Sequence, residues 1–137
     1  MNYLYIGIAI LLIASYFAYS FFQDKNRTWE FIEVPEAAKE LKSNKFAIFI
    51  DVREDDELLE TGRIPGAVHI PLGRLSSEKS HLDSIINEDS KIIVYCRSGG
   101  RSKRGASIIS GFGFPNVYSM NGGMMKWLSS KKKVEPK

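Results

Sequence analysis

The sequence predicts an α/β domain with a largely parallel central sheet and helices on both faces, preceded by one N-terminal transmembrane helix. Three observations carry this. Short apolar runs at 46–50 and 91–95 are unbroken rather than alternating, which suits strands buried on both faces of a parallel sheet. Segments of helical spacing lie between such runs, and alternating strands and helices build α/β domains. Finally, 3–22 reads YLYIGIAILLIASYFAYSFF, 20 residues without a charge.

Taken in order, that first stretch would span about 30 Å as a helix, the hydrocarbon thickness of a bilayer. Tyr3 and Tyr5 at one end and Tyr16, Tyr19, Phe21 and Phe22 at the other fit interfacial aromatic belts. A cleaved signal peptide fits less well, because Met1-Asn2 brings no basic side chain and the apolar run is long. A buried core helix fits less well again, since so small a domain rarely buries a helix that is apolar all round. Residues 1–24 are therefore read as an uncleaved anchor and 25–28 as a linker. Lys25 and Arg27 follow the span, so the positive-inside rule places the following domain in the cytoplasm.

Residues 29–129 form the domain and 130–137 a basic tail. Trp29 to Ile32 reads as a short edge strand. Val34-Pro35-Glu36 opens a helix, with proline near its first turn, and Ser43-Asn44 closes it. Ala37, Ala38 and Leu41 give that helix its apolar face. The strand at 46–50 ends in Asp51-Val52-Arg53, and an acidic helix follows over 55–60. Gly62 to Gly66 is a turn cluster. A short strand over 67–70 comes next. A helix over 80–86 takes Ser80 as its N-cap and Asp83 at its third position. After the strand at 91–95, Gly105, Ile108, Ile109 and Phe112 recur at helical spacing, and Gly113 ends that helix. Val117 to Ser119 is a last strand, and a terminal helix carries Trp127.

The chemistry concentrates in Cys96-Arg97-Ser98-Gly99-Gly100-Arg101-Ser102. The only cysteine stands where a strand ends and a helix begins. Backbone N–H groups at a helix N-terminus favour an anion, as do nearby guanidinium groups, so the thiol is expected to lose its proton readily. The same N–H groups would hold an oxyanion near the sulfur. Arg97 and Arg101 are the candidate anion-binding side chains. Asp51 ends its own strand at the same sheet edge. It either accepts hydrogen bonds from the loop or an arginine, or serves as a turn or capping residue. His69 reads as structural.

Composition narrows the alternatives. Nineteen basic and 16 acidic residues leave a net charge of +3, too slight to argue for nucleic acid. Lys126, Lys131, Lys132, Lys133 and Lys137 gather at the C-terminus, read as a solvated, frayed tail rather than a lipid-binding patch. One cysteine allows no internal disulfide and no second thiol to resolve an oxidised Cys96. With two histidines at these spacings it assembles no metal site, and no cofactor motif occurs.

From about Trp29 to Trp127 the chain resembles the single-domain rhodanese (sulfurtransferase) family. Asp51-Val52-Arg53 looks like its D-V-R. Gly62-Arg63-Ile64-Pro65-Gly66-Ala67-Val68-His69-Ile70-Pro71 looks like its G-H-I-P-G-A-x-N/H-I-P segment. The Cys96–Ser102 loop looks like its active-site loop. Gly113-Phe114, Val117, Gly122-Gly123 and Trp127 look like its closing pattern. Arg63 departs from the usual histidine, and tuning rather than loss is expected there. The resemblance implies a Cys96 nucleophile, a loop from Arg97 to Ser102 that binds a small anionic sulfur donor, and support from Asp51 and Arg53. An external thiol or cyanide would then take the sulfur.

Two other functions remain in view. A cysteine phosphatase or arsenate reductase would place five residues between cysteine and arginine. Here four separate Cys96 from Arg101, a tighter cradle sized for sulfur. A non-catalytic, membrane-tethered module would either bind a partner, which needs no intact cysteine, or only carry persulfide to it, and the intact Cys96 argues against a dead module.

Overall fold

The computed structural model describes residues 2–137. Among these, five strands form one fully parallel sheet: β1 (Glu30–Ile32), β2 (Ala47–Asp51), β3 (Val68–His69), β4 (Lys91–Tyr95) and β5 (Val117–Met120), in the order β1-β5-β4-β2-β3. Seven helices accompany it: α1 (Tyr3–Lys25), α2 (Val34–Ser43), α3 (Asp55–Thr61), α4 (Leu72–Leu75), α5 (Lys79–Ile85), α6 (Gly100–Gly111) and α7 (Gly123–Ser129).

The central strand β4 explains the unbroken apolar runs. Its side chains alternate between two cores, as the two-residue period of a strand requires. Ile92, Val94 and the following Cys96 join the core under α4, α5 and α6, with Leu75, Leu82, Ala106 and Ile109. Ile93 and Tyr95 join the other, with Val34 and Ala37 of α2 and Met124 and Trp127 of α7. Helices therefore cover both faces. Gly105 sets the spacing on the α6 side. A Cβ there would meet Val94 Cγ1 at 3.0 Å and Val52 Cγ1 at 3.3 Å, so only glycine lets the helix lie this close.

Helix α1 stands apart from both cores. Every residue described on it is exposed, including Ile10, Leu11 and Phe17. It is long and apolar enough to cross a bilayer, and it contributes nothing to the domain core. It also runs further than the sequence implied. Lys25, read as linker, continues the helix, and Gln23 Nε2 donates to Tyr19 Oη one turn back at 2.7 Å.

Three local expectations are corrected. Ser80 lies inside α5 rather than capping it. Glu78 occupies the cap position, and Asp83 pairs with Lys79 at 2.9 Å. The short α4 follows Pro71 where no helix was expected, burying Leu75 against α6. The basic tail is docked rather than frayed. Glu135 and Arg63 exchange backbone hydrogen bonds of 2.8 Å in each direction, and Trp127 Nε1 donates to the carbonyl of Lys133 at 2.8 Å.

Candidate active site

Parallel pairing puts the carboxyl ends of β2 and β4 side by side, with Asp51 opposite Tyr95 and Cys96 next in the chain. Loops that leave this edge form the site, where ligands bind in such sheets.

Cys96 is buried, with 1% of its surface exposed. The chain turns after it through Gly99, whose φ of +115° is a conformation that L side chains rarely adopt, and enters α6 at Gly100. That turn directs backbone N–H groups at the sulfur. Gly99 N–H donates to Sγ at 3.1 Å and Ser102 N–H at 3.4 Å. Burial pushes the thiol up. Hydrogen bonds from the Ser102 backbone and hydroxyl, Gly99 and Ser98 outweigh it and leave the thiol below its ordinary value. Ser102 Oγ is buried too, 3.1 Å from the Gly99 carbonyl, which competes with Sγ for its one proton, and it shares a 2.8 Å hydrogen bond with Ser119 Oγ on β5. The hydrogen bonds to Sγ come from loop N–H groups and the Ser102 hydroxyl, and neither arginine touches the sulfur through one.

The two arginines part company. Arg97 is exposed, and with Arg53, Glu57, Thr61, Met124 and Met125 it lines a cavity of 260 Å³ beside the loop, between α3 and α7. Arg101 is bound end-on to Glu57, Nη1 and Nη2 each donating to a carboxylate oxygen at 2.7 Å. That bidentate pair holds Glu57 at about 2 and raises Arg101 further above its ordinary value. Ser98 and Gly100 are exposed at the loop surface. A Cβ on Gly100 would meet nothing, so the loop backbone does not require glycine there.

Asp51 does bind an arginine, but one on its own turn rather than in the loop. Its carboxylate accepts from the Arg53 backbone N–H at 3.0 Å, from Nε at 3.0 and 3.1 Å and from Nη2 at 2.8 Å. Arg53 also donates to Thr61 Oγ1 at 2.8 Å and to the Gly62 carbonyl at 2.9 Å. Both side chains are buried, so this pair ties β2 to the end of α3 and stiffens the edge beside Cys96. His69, on β3, has its Nε2 2.6 Å from the Arg53 carbonyl and its Nδ1 3.4 Å from Asp55 Oδ1.

Two site residues escaped the sequence reading. Glu57 was only one of several acids on a short helix, although it lies at the same sheet edge as the loop. Gly123 was one of a glycine pair. In the structure its φ is +57°, and a Cβ would lie 2.5 Å from the carbonyl oxygens of both Cys96 and Arg97. Those carbonyls accept from Met124 N–H at 2.8 Å and Met125 N–H at 3.0 Å, so the start of α7 braces the loop from behind.

The family model for the rhodanese-like domain matches residues 33–130. The chain belongs to the rhodanese-like domain family. YtwF of Bacillus subtilis, which bears a provisional sulfurtransferase name, is 37% identical over 100 residues, covering 72% of this chain and 91% of that protein. The thiosulfate sulfurtransferase GlpE of Ectopseudomonas mendocina is 36% identical over 93 residues, covering 68% and 80%. Among solved structures, a rhodanese-related protein of Thermoplasma volcanium superposes with a TM-score of 0.63 at 27% identity, covering 79% of this chain and 99% of that one. Rhodanese membership and these relatives assign the chain to sulfur transfer in general.

Proposed function

We propose that this rhodanese is a membrane-anchored sulfurtransferase that carries sulfane sulfur on Cys96. The observation that supports this best is the pair of N–H donors from Gly99 and Ser102 on a buried Sγ. They favour the thiolate. They would favour equally the terminal sulfur of a persulfide, which carries the same charge in the same cradle.

In the first step the Cys96 thiolate attacks the outer sulfur of thiosulfate or a similar small anionic donor. A sulfur–sulfur bond to Cys96 forms as the donor's own sulfur–sulfur bond breaks, and sulfite leaves with the electron pair. In the second step cyanide or an external thiolate attacks the outer sulfur of the persulfide, and the Cys96 thiolate departs. Arg97, exposed at the mouth of the loop, attracts the anionic donor. With no second cysteine in the chain, the acceptor is external.

Arg101 favours sulfur over phosphate. Glu57 occupies the Nη1–Nη2 end of its guanidinium and offsets its charge, so a tetrahedral phosphate would have to displace a carboxylate or approach along the Nε side. Helix α1 serves as a single span, and Lys25 at its C-terminal end and Arg27 just beyond put the domain in the cytoplasm.

Intact-protein mass after thiosulfate treatment tests the chemistry. A gain of one sulfur that cyanide removes, and that Cys96→Ala lacks, is the expected result. No gain with any sulfane donor would overturn it, and Cys96-dependent turnover of an aryl phosphate would replace it with phosphatase chemistry.

A further inference from the structure

The way the anchor joins the domain restricts where sulfur can be exchanged. All five strands run in one direction. The chain enters the sheet at the amino end of β1, and Cys96 leaves it at the carboxyl end of β4. In a fully parallel sheet these are opposite edges. The five residues of β4 separate the edges by about 16 Å.

The connection between anchor and sheet is short and fastened. Only residues 26–29 lie between α1 and β1. Thr28 Oγ1 donates to Ser110 Oγ at 2.7 Å, and Trp29 Nε1 donates to Ser107 Oγ at 2.9 Å. Both serines lie in the C-terminal half of α6, whose N-terminus carries the N–H groups that face Cys96. The 12 residues of α6 extend about 18 Å from one end to the other. Arg27 also packs over the rings of Trp29 and Phe31, at 5.2 and 4.7 Å from their centroids. The end of the anchor is thus fixed to the amino edge of the sheet, and the cysteine lies across the full thickness of the domain.

We infer that Cys96 is presented away from the bilayer, so that sulfur donor and acceptor both reach it as water-soluble molecules from the aqueous phase and not from within the membrane. This rests on α1 spanning a bilayer and on Cys96 being the sulfur carrier. The anchor then fixes the enzyme's location without delivering its substrates, and a membrane-embedded thiol or lipid-borne donor could not reach the loop. The acceptor class is a soluble thiol, small or on a protein.

The test uses the full-length chain in liposomes containing lipids with a quencher in the headgroup. A fluorophore is attached to Ser98→Cys at the exposed loop, or to Lys45→Cys at the exposed turn before β2, each in a Cys96→Ser background. Lys45 lies at the amino edge. Several-fold stronger quenching at position 45 than at position 98 is expected. Equal or stronger quenching at position 98 overturns the inference, as does loss of the chain from sedimented liposomes. Because the probe needs no turnover, its outcome stands apart from the persulfide mass measurement. In the unmodified chain, persulfide should pass to a soluble protein thiol and not to a lipid carrying a headgroup thiol in the same liposomes. Preferred transfer to the lipid thiol overturns the inference even where the mass measurement succeeds.

Discussion

Arg101 and Glu57 meet end-on beside the cysteine loop, through two hydrogen bonds of 2.7 Å. The pair takes a cation that the loop sequence offers to an anion and commits it to the protein's own carboxylate. Arg101 still feels the sulfur, since the charge on Cys96 contributes to raising its pKa. Glu57 therefore sets how much positive charge the sulfur sees.

Glu57→Gln should release that charge. The Glu57 carboxyl is held at about 2, below its ordinary 4.5, with the Arg101 hydrogen bonds as the main cause. Because the folded value is depressed, the pair's stabilisation is fully present above pH 4.5 and fades as pH falls through about 2. It is therefore intact at neutral pH. Arg101 is about a third exposed, so solvent screening limits the pair to about 1 kcal/mol at most. The expected kinetic effect is a shift of the thiolate limb of the kcat/KM pH profile to lower pH, by roughly half a unit. An unmoved limb would mean that Arg101 has no electrostatic hold on the sulfur.

Ser102 and Ser119 form a buried hydroxyl pair at 2.8 Å beneath the cradle. Ser102→Ala removes a side-chain hydrogen bond that lowers the Cys96 thiol and leaves the backbone donors in place. The thiol should move up, so the thiolate limb shifts to higher pH, opposite to Glu57→Gln. It also strands the Ser119 hydroxyl, at a cost of about 1–3 kcal/mol. Ser102→Ala with Ser119→Ala should recover much of that stability in urea unfolding without restoring the pH profile. Recovery of both would show that the hydroxyl acts on packing alone.

Much of this was legible in the chain, for reasons that differ by element. Strands β2 and β4 were visible because burial on both faces leaves no polar alternation to confuse. Cys96 stood out because the loop concentrates glycine, serine and arginine where a strand meets a helix. Partner choice was not legible. Asp51 was placed at the correct edge, yet nothing local says that it binds Arg53 two residues on rather than Arg97 or Arg101. Glu57 is one acid among several until the fold brings Arg101 beside it, 44 residues away in the chain. The tail misled for the same reason. Its lysines read as solvated, while Glu135 meets the backbone and Nε of Arg63 and the N–H of Gly66, the Lys133 carbonyl meets Trp127, and Lys137 pairs with Asp55 at 3.3 Å.

Gly123→Ala should damage the loop from behind. A Cβ there would lie 2.5 Å from two backbone carbonyls, and the residue's φ of +57° is strained for alanine as well. Neither carbonyl belongs to a flexible side chain, so the start of α7 must move and give up the Met124 and Met125 hydrogen bonds to the loop. A loss of about 2–4 kcal/mol is expected, together with slower persulfide formation in the fraction that remains folded. Gly100→Ala, where nothing lies within 4 Å, serves as the contrast and should leave stability within about 0.5 kcal/mol. Comparable losses from the two variants would contradict the bracing role of α7.

Asp51→Asn separates support from chemistry. Arg53 is buried, and among the described residues Asp51 is its only ionised hydrogen-bond partner; Thr61 and the Gly62 carbonyl are neutral. Removing the carboxylate charge leaves a guanidinium in the interior without compensation, which costs roughly 3–5 kcal/mol. That is a large share of the stability of a domain this size. Replacing both partners, as Asp51→Asn with Arg53→Met, removes the stranded charge and should cost less than Asp51→Asn alone. Urea midpoints of the two single variants and the double variant measure this coupling directly. Molecules that remain folded should still gain one sulfur from thiosulfate, because the Gly99 and Ser102 donors to Cys96 do not pass through Asp51. Loss of sulfur loading in a fully folded Asp51→Asn protein would instead make Asp51 part of the sulfur-binding machinery.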